Sequence, residues 1–193
     1  MRKDSHDKTR ATASWFWVAL AGCAMLAVDL LAQSRVQSAT DEQVRSAFLF
    51  QLAQYVTWPE KTIAEPLRFC VLGDDQLAEA LALVLRGKTI QGRPVTTSRL
   101  SGSEQLAGCH VAFLGLTKRK QLQELFAGWS YPPVLLVGEA DGFADMGGMV
   151  NLKIDAGRIS IEINLNTCRR AGLEMRSQLL RLARIVPAAG DKP

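Results

Sequence analysis

Residues able to do chemistry are scarce in this chain of 193 residues. Its histidines are His6 and His110, and its cysteines are Cys23, Cys70, Cys109 and Cys168. One histidine among scattered carboxylates does not make a zinc site, which needs three or four convergent ligands. A Ser–His–Asp triad would have to use His110, and no Gly-x-Ser-x-Gly elbow presents a nucleophile. No Gly-x-x-x-x-Gly-Lys-[Ser/Thr] run is present to cradle a phosphate. Asp155 and Glu162 show no paired spacing that would mark an acid and a base. Cys168 falls in the first turn of a short helix beside Arg169 and Arg170, and both features lower a thiol's pKa. Its expected role is nonetheless a packed thiol rather than a redox sensor. His110 reads as a packed residue in a strand. The Gly147-Gly148 pair would let a ligand approach the backbone, but a turn before a strand is the simpler reading. By elimination the residues point to a binding or regulatory protein, although sites also assemble from distant residues.

Composition narrows the class further. An apolar fraction of 48% and a charged fraction of 22% are those of an ordinary globular protein. The net charge of +4 is not gathered into a basic stripe interleaved with aromatics, which argues against nucleic acid as a partner. Lys118-Arg119-Lys120 reads as a solvated helix start. At the N-terminus, Lys3, Lys8 and Arg10 precede the apolar run "SWFWVALAGCAMLAVDLLA", Ser14 to Ala32, the pattern of a secretory signal. Cleavage is expected after Ser38 or Ala39. Asp29 inside the run disfavours a stable membrane span. "LAGC", Leu20 to Cys23, matches a lipoprotein box, but the apolar residues after Cys23 do not resemble a polar tether. The expected organisation is a leader over 1–39, one domain over 40–187 and a disordered tail over 188–193. Each version of the leader exports the domain to an oxidising compartment, where disulfides persist. Cys70, Cys109 and Cys168 then allow one bridge and one leftover thiol.

The elements follow from periodicity. Thr40, with Gln43 three residues on, is expected to cap a helix whose core face carries Val44, Ala47, Phe48, Leu52 and Tyr55. Pro59 stops it at Trp58, whose indole is placed to seal the core edge. "LRFCVLG", "GRPVTTSRL", "CHVAFLG" and "PVLLVGE" read as strands, with a helix from an Asp74 cap to Gly87 and another from a Thr117 cap to Gly128. "GGMVNLKID" and "GRISIEIN" alternate and are joined at Asp155-Ala156-Gly157 as a hairpin. Asn166 is expected to cap a short helix ending at Gly172, "LEMR" to form a last strand, and Ser177 to cap a closing helix "QLLRLARIV". The fold class is α/β: a mostly parallel central sheet flanked by helices, with a C-terminal antiparallel hairpin and a closing helix. Cys70 and Cys109 sit near the starts of strands that such a sheet often makes neighbours. They either form a bridge or remain two buried thiols.

Several segments together resemble a known family. "VRSAFLFQLAQYVTWPE", "FCVLGDD", "LAGCHVAFLG", "GGMVNLKID" and "ISIEINLNTCRRAGLEMRSQLLRLAR" are similar to the signature segments of the YfiR-like periplasmic proteins, over about residues 42–186. The resemblance implies regulation without catalysis: inhibition of an inner-membrane diguanylate cyclase through its periplasmic domain, with an outer-membrane lipoprotein able to sequester the inhibitor. It implies a homodimer, no cofactor, and a bridge between Cys70 and Cys109. The well-studied type has a second bridge, for which this chain has too few cysteines, so redox gating does not carry over. The partner-binding face is expected on the C-terminal segment, with Leu173, Met175, Leu179, Leu182 and Ile185 as apolar contacts. Arg169 and Arg170, with Arg176, Arg181 and Arg184, would form its rim. The alternative is an exported small-molecule-binding module. Its crevice would lie at the strand ends marked by Gly73-Asp74, Gly115 and Gly138.

Overall fold

A computed structural model describes residues 41–59, 66–155 and 158–186. Of the unit Met1–Asp41 it describes Asp41 alone, while residues from Glu42 onward form a second unit. The expected leader, the Thr40 cap, the Ala156-Gly157 turn and the tail lie outside the described residues.

The first helix, α1, covers residues 41–54 and leads into β1 (Val56–Thr57). Its buried stripe is Glu42, Ser46, Leu49, Leu52 and Ala53, whereas Val44 is 43% exposed and Ala47 is exposed. Phe48 and Tyr55 are half-buried against the core. The helix is therefore rotated from the expected face. The true stripe also has helical spacing, but its first two members are polar and hide it from an apolar count. Trp58 is buried, and its Nε1 donates to the carbonyl of His110 at 3.3 Å, so the indole closes the core.

β2 (Leu67–Leu72), β4 (Arg93–Leu100), β5 (Val111–Leu114) and β6 (Leu135–Gly138) form the parallel centre of the main sheet. Every residue of β5 and β6 is buried, as continuous apolar runs covered on both faces should be. α2 (Asp75–Val84) starts from Asp74, whose side chain accepts from the Leu77 N–H at 2.9 Å. β3 (Thr89–Ile90) turns back on β4 through Gln91 and Gly92, both at positive φ, the geometry of a tight hairpin. α3 (Arg119–Ala127) begins after Lys118, not Thr117, without a side-chain cap.

β7 (Val150–Asp155) continues the parallel order beside β6, and β8 (Arg158–Ile163) pairs antiparallel with β7. α4 (Leu165–Arg170) is capped by Asn164 rather than Asn166. The Asn164 side chain accepts from the Thr167 N–H at 3.0 Å and donates to the Ala144 carbonyl at 2.9 Å, so one buried amide serves two segments. β9 (Glu174–Met175) pairs antiparallel with β1 as a separate two-stranded sheet. The expected closing helix is one turn only, α5 (Ser177–Leu180), followed by β10 (Arg184–Ile185), which pairs parallel with β8. β-branched Ile185 and Val186 favour the sheet, where the Val186 N–H donates to Ile163, and Arg184 pairs with the buried Glu162. The main sheet runs β10-β8-β7-β6-β5-β2-β4-β3.

Candidate functional site

The parallel strands β2, β5 and β6 end together at Leu72, Leu114 and Gly138, with Gly73 and Gly115 directly after the first two. This is the edge at which open α/β sheets bind ligands. A cavity of about 460 Å³ lined by Leu72, Gly73, Asp75, Arg99, Leu100 and Ser101 lies at the ends of β2 and β4, while around β5 and β6 the chain fills the edge. A Cβ on Gly115 would stand 2.8 Å from the Cβ of Asp74, and one on Gly138 would meet the ring of Phe143. Gly147 takes φ +121, and a Cβ on Gly148 would fall on the same Phe143 ring. The glycine pair is thus a turn closed against an aromatic side chain.

A charge cluster occupies the same edge. Arg45 of α1 reaches Asp74 after β2 at 3.3 Å and Glu139 after β6 at 3.2 Å, and it also pairs with Glu42 one turn earlier. Three carboxylates surround one guanidinium, and the Glu42 and Arg45 side chains are largely buried. Burial pushes the Glu139 carboxyl above its ordinary range against the opposing pull of Arg45, and the Asp74 charge adds to the rise. Glu42 Oε2 and Glu139 Oε1 are buried without a hydrogen-bond partner. The cluster ties the first helix to the ends of two strands. Sequence reasoning missed it, although both strands end in the same pattern, Gly73-Asp74 and Gly138-Glu139, above an Arg-bearing helix turn.

The structure pairs Cys70 of β2 with Cys109 before β5 as a disulfide, with Cα atoms 6.1 Å apart. Cys168 is fully buried, and burial pushes its thiol up to about 12, against the lowering effect of Arg169. The two features that would have activated it are outweighed because the side chain enters the core. His110 lies just before β5, where its Nδ1 accepts from the Arg68 N–H at 3.0 Å. Among the described residues no group of three or more His, Cys, Asp and Glu is arranged to hold a metal ion.

The C-terminal segment divides in a way that apolar counting could not show. Leu173 and Leu179 are core residues, and Met175 is half-buried on β9. The expectation that these leucines are surface contacts is corrected: they hold the β9 and α5 segments onto the core. Leu182, 77% exposed, and Ile185, 42% exposed, remain as surface apolar residues. Arg169, Arg170, Arg176 and Arg181 are exposed around them in sequence. Arg170 already stacks on Tyr131, its guanidinium 4.0 Å from the ring centroid. Glu162, despite the opposing effect of burial, is held below the usual carboxylate range by hydrogen bonds from Arg184 and Asn151 and by the Lys153 charge.

A family model described as YfiR/HmsC-like matches residues 42–184, well over half of the chain. The chain belongs to the YfiR/HmsC-like family. That span starts at the helix carrying Arg45 and ends in β10, so the charge cluster, the disulfide and Leu182 all fall inside the family domain. Membership points to a regulator rather than an enzyme, and to a periplasmic protein. Among the described residues no helix is long and apolar enough to cross a membrane.

Proposed function

We propose that this YfiR/HmsC-like protein is a periplasmic negative regulator that binds the periplasmic domain of an inner-membrane diguanylate cyclase, holds it inactive and so lowers cyclic-di-GMP and biofilm formation. The observation that carries this reading is the family match over residues 42–184. The basic, then apolar, leader supports export. Inhibition of this kind is a coupling free energy of about 1–3 kcal/mol between regulator binding and the inactive cyclase conformation. An outer-membrane lipoprotein that binds the same regulator would relieve it by competition.

The contact face we assign to this role is narrower than the sequence suggested: Leu182 and Ile185 as apolar anchors, with Arg169, Arg176 and Arg181 as the rim. The small-molecule reading loses the part of its crevice occupied by Arg45 and Phe143 and keeps a cavity of about 460 Å³ beside Gly73, between the ends of β2 and β4. The reading is tested by titrating the exported protein against the periplasmic domain of the diguanylate cyclase encoded nearest to it. Saturable binding that suppresses cyclase output is expected. A folded, bridged protein that leaves cyclic-di-GMP unchanged when its gene is deleted would overturn it.

A further inference from the structure

The ends of β2 and β4 differ from the filled edge beside them. Asp75 opens α2, where an acidic side chain suits the helix N-terminus. Ala78 and Ala82 follow three and seven residues later, on the same face of the helix. Thr97 and Arg99 alternate onto one face of β4. The two alanines are too short to fill the space toward β4, and a cleft of about 230 Å³ remains, lined by Val71, Ala78, Leu81, Ala82, Thr97 and Arg99. The cavity of about 460 Å³ beside Gly73 meets this cleft at Arg99, which lines both. At that junction Arg99 pairs with Asp75 at 2.6 Å, with side chains 62% and 58% exposed. So exposed a pair adds little to stability. It does hold two charges in place, and a guanidinium with five N–H donors keeps most of them for another acceptor. Glu79, one turn after Asp75 on α2, lines the same cleft. Negative charge therefore stands on the helix side and positive charge on the strand side, beside an apolar wall of Val71, Ala78, Leu81 and Ala82.

We propose that this cleft binds a small zwitterion with an apolar arm, the chemistry of an apolar α-amino acid. Its carboxylate accepts from Arg99, its ammonium donates to Asp75 and Glu79, and its arm lies against Ala78, Leu81 and Ala82. A ligand carrying both charges completes a ring of alternating charge around the existing Arg99–Asp75 pair. A plain anion would meet Asp75 and Glu79, and a plain cation would meet Arg99. A single charge therefore gains on one side of the cleft and loses on the other. The arm must be short, because a cleft of about 230 Å³ is smaller than the pockets of about 300–1,000 Å³ that take drug-sized molecules. This inference goes beyond the cyclase reading and does not depend on it.

The probe is L-leucine, titrated into isotopically labelled protein purified from the periplasm and followed by heteronuclear NMR. Saturable shifts of the Gly73, Ser98 and Arg99 amides are expected, with a Kd of about 1 mM or tighter for a ligand of this size. Isocaproate, which lacks the ammonium, and isopentylamine, which lacks the carboxylate, should each bind at least about tenfold more weakly. Arg99→Gln and Asp75→Asn should each weaken L-leucine binding by a similar factor. Both positions are exposed, and near-ultraviolet circular dichroism checks that the variants keep their fold. Ala82→Leu fills the cleft from an exposed helix position and should abolish binding. L-leucine that gives no saturable shift at these amides, one-charge analogues that bind as tightly as L-leucine, or a folded Ala82→Leu chain that binds as the natural protein does would each overturn the proposal.

Discussion

Replacing Arg45 with methionine keeps most of the side-chain volume and removes the positive charge that, among the described residues, pairs with Glu42, Asp74 and Glu139. The three carboxylates then repel one another where their side chains are only 9%, 21% and 33% exposed. Breaking a buried ion pair by deleting one partner costs about 3–5 kcal/mol. Partial exposure of Asp74 and Glu139 places this case near 3 kcal/mol. For a domain of this size that corresponds to a fall in Tm of about 9 °C. The pH dependence is the sharper test. The Glu139 carboxyl is raised on folding, so its ionisation opposes folding. Stability from this group is present at acid pH and lost as the pH rises through its raised folded value. Removing Arg45 takes away the charge that favoured ionisation, so the deficit of the variant should be largest near neutral pH and shrink toward pH 5. Urea unfolding of both proteins across that range measures it, and adding Glu139→Gln to Arg45→Met should recover part of the loss. A variant within about 1 kcal/mol of the natural protein at pH 7.5, or one equally impaired at pH 5 and 7.5, would refute the reasoning.

The Cys70–Cys109 bridge closes a loop of 39 residues. In the chain-entropy model its removal in a Cys70→Ser, Cys109→Ser variant costs about 4 kcal/mol, seen as a fall in Tm of about 12 °C by calorimetry. Cys168, buried and with its thiol pushed up to about 12, should resist a thiol reagent at pH 8 in the native protein and react fully once unfolded in urea. Gly148→Ala places a methyl group on the Phe143 ring and should destabilise by about 1–3 kcal/mol through overpacking. Thermal denaturation at matched concentration checks it.

The architecture was legible because the central strands are nearly unbroken apolar runs that end in glycine, as in "CHVAFLG" and "PVLLVGE", and they became β5 and β6. The face of α1 was not. Glu42 is buried beside Arg45, whose other partners lie 29 and 94 residues away, and buried Ser46 is polar, so an apolar count passes over both. The closing segment failed for a related reason. "QLLRLARIV" has helical apolar spacing, but its last residues are β-branched and pair with Ile163 of β8, while Arg184 meets Glu162. The same limit divides the C-terminal contacts. Leu179 and Leu182 are equivalent as sequence, yet one is 3% exposed and the other 77%. The cap at Asn164 was misplaced by two residues because either asparagine satisfies the local rule, and the Ala144 carbonyl decides between them.

The regulator reading is tested most directly by isothermal titration of the periplasmic domain of the nearest-encoded diguanylate cyclase with the natural protein and with Leu182→Glu, Ile185→Glu. Both substituted positions are exposed, and near-ultraviolet circular dichroism checks that the variant keeps its fold. The account predicts saturable binding at about micromolar affinity or tighter for the natural protein, and at least about tenfold weaker binding for the variant. No binding by the folded, bridged protein, or equal binding by the variant, would contradict the cyclase partnership in the first case and the assigned face in the second.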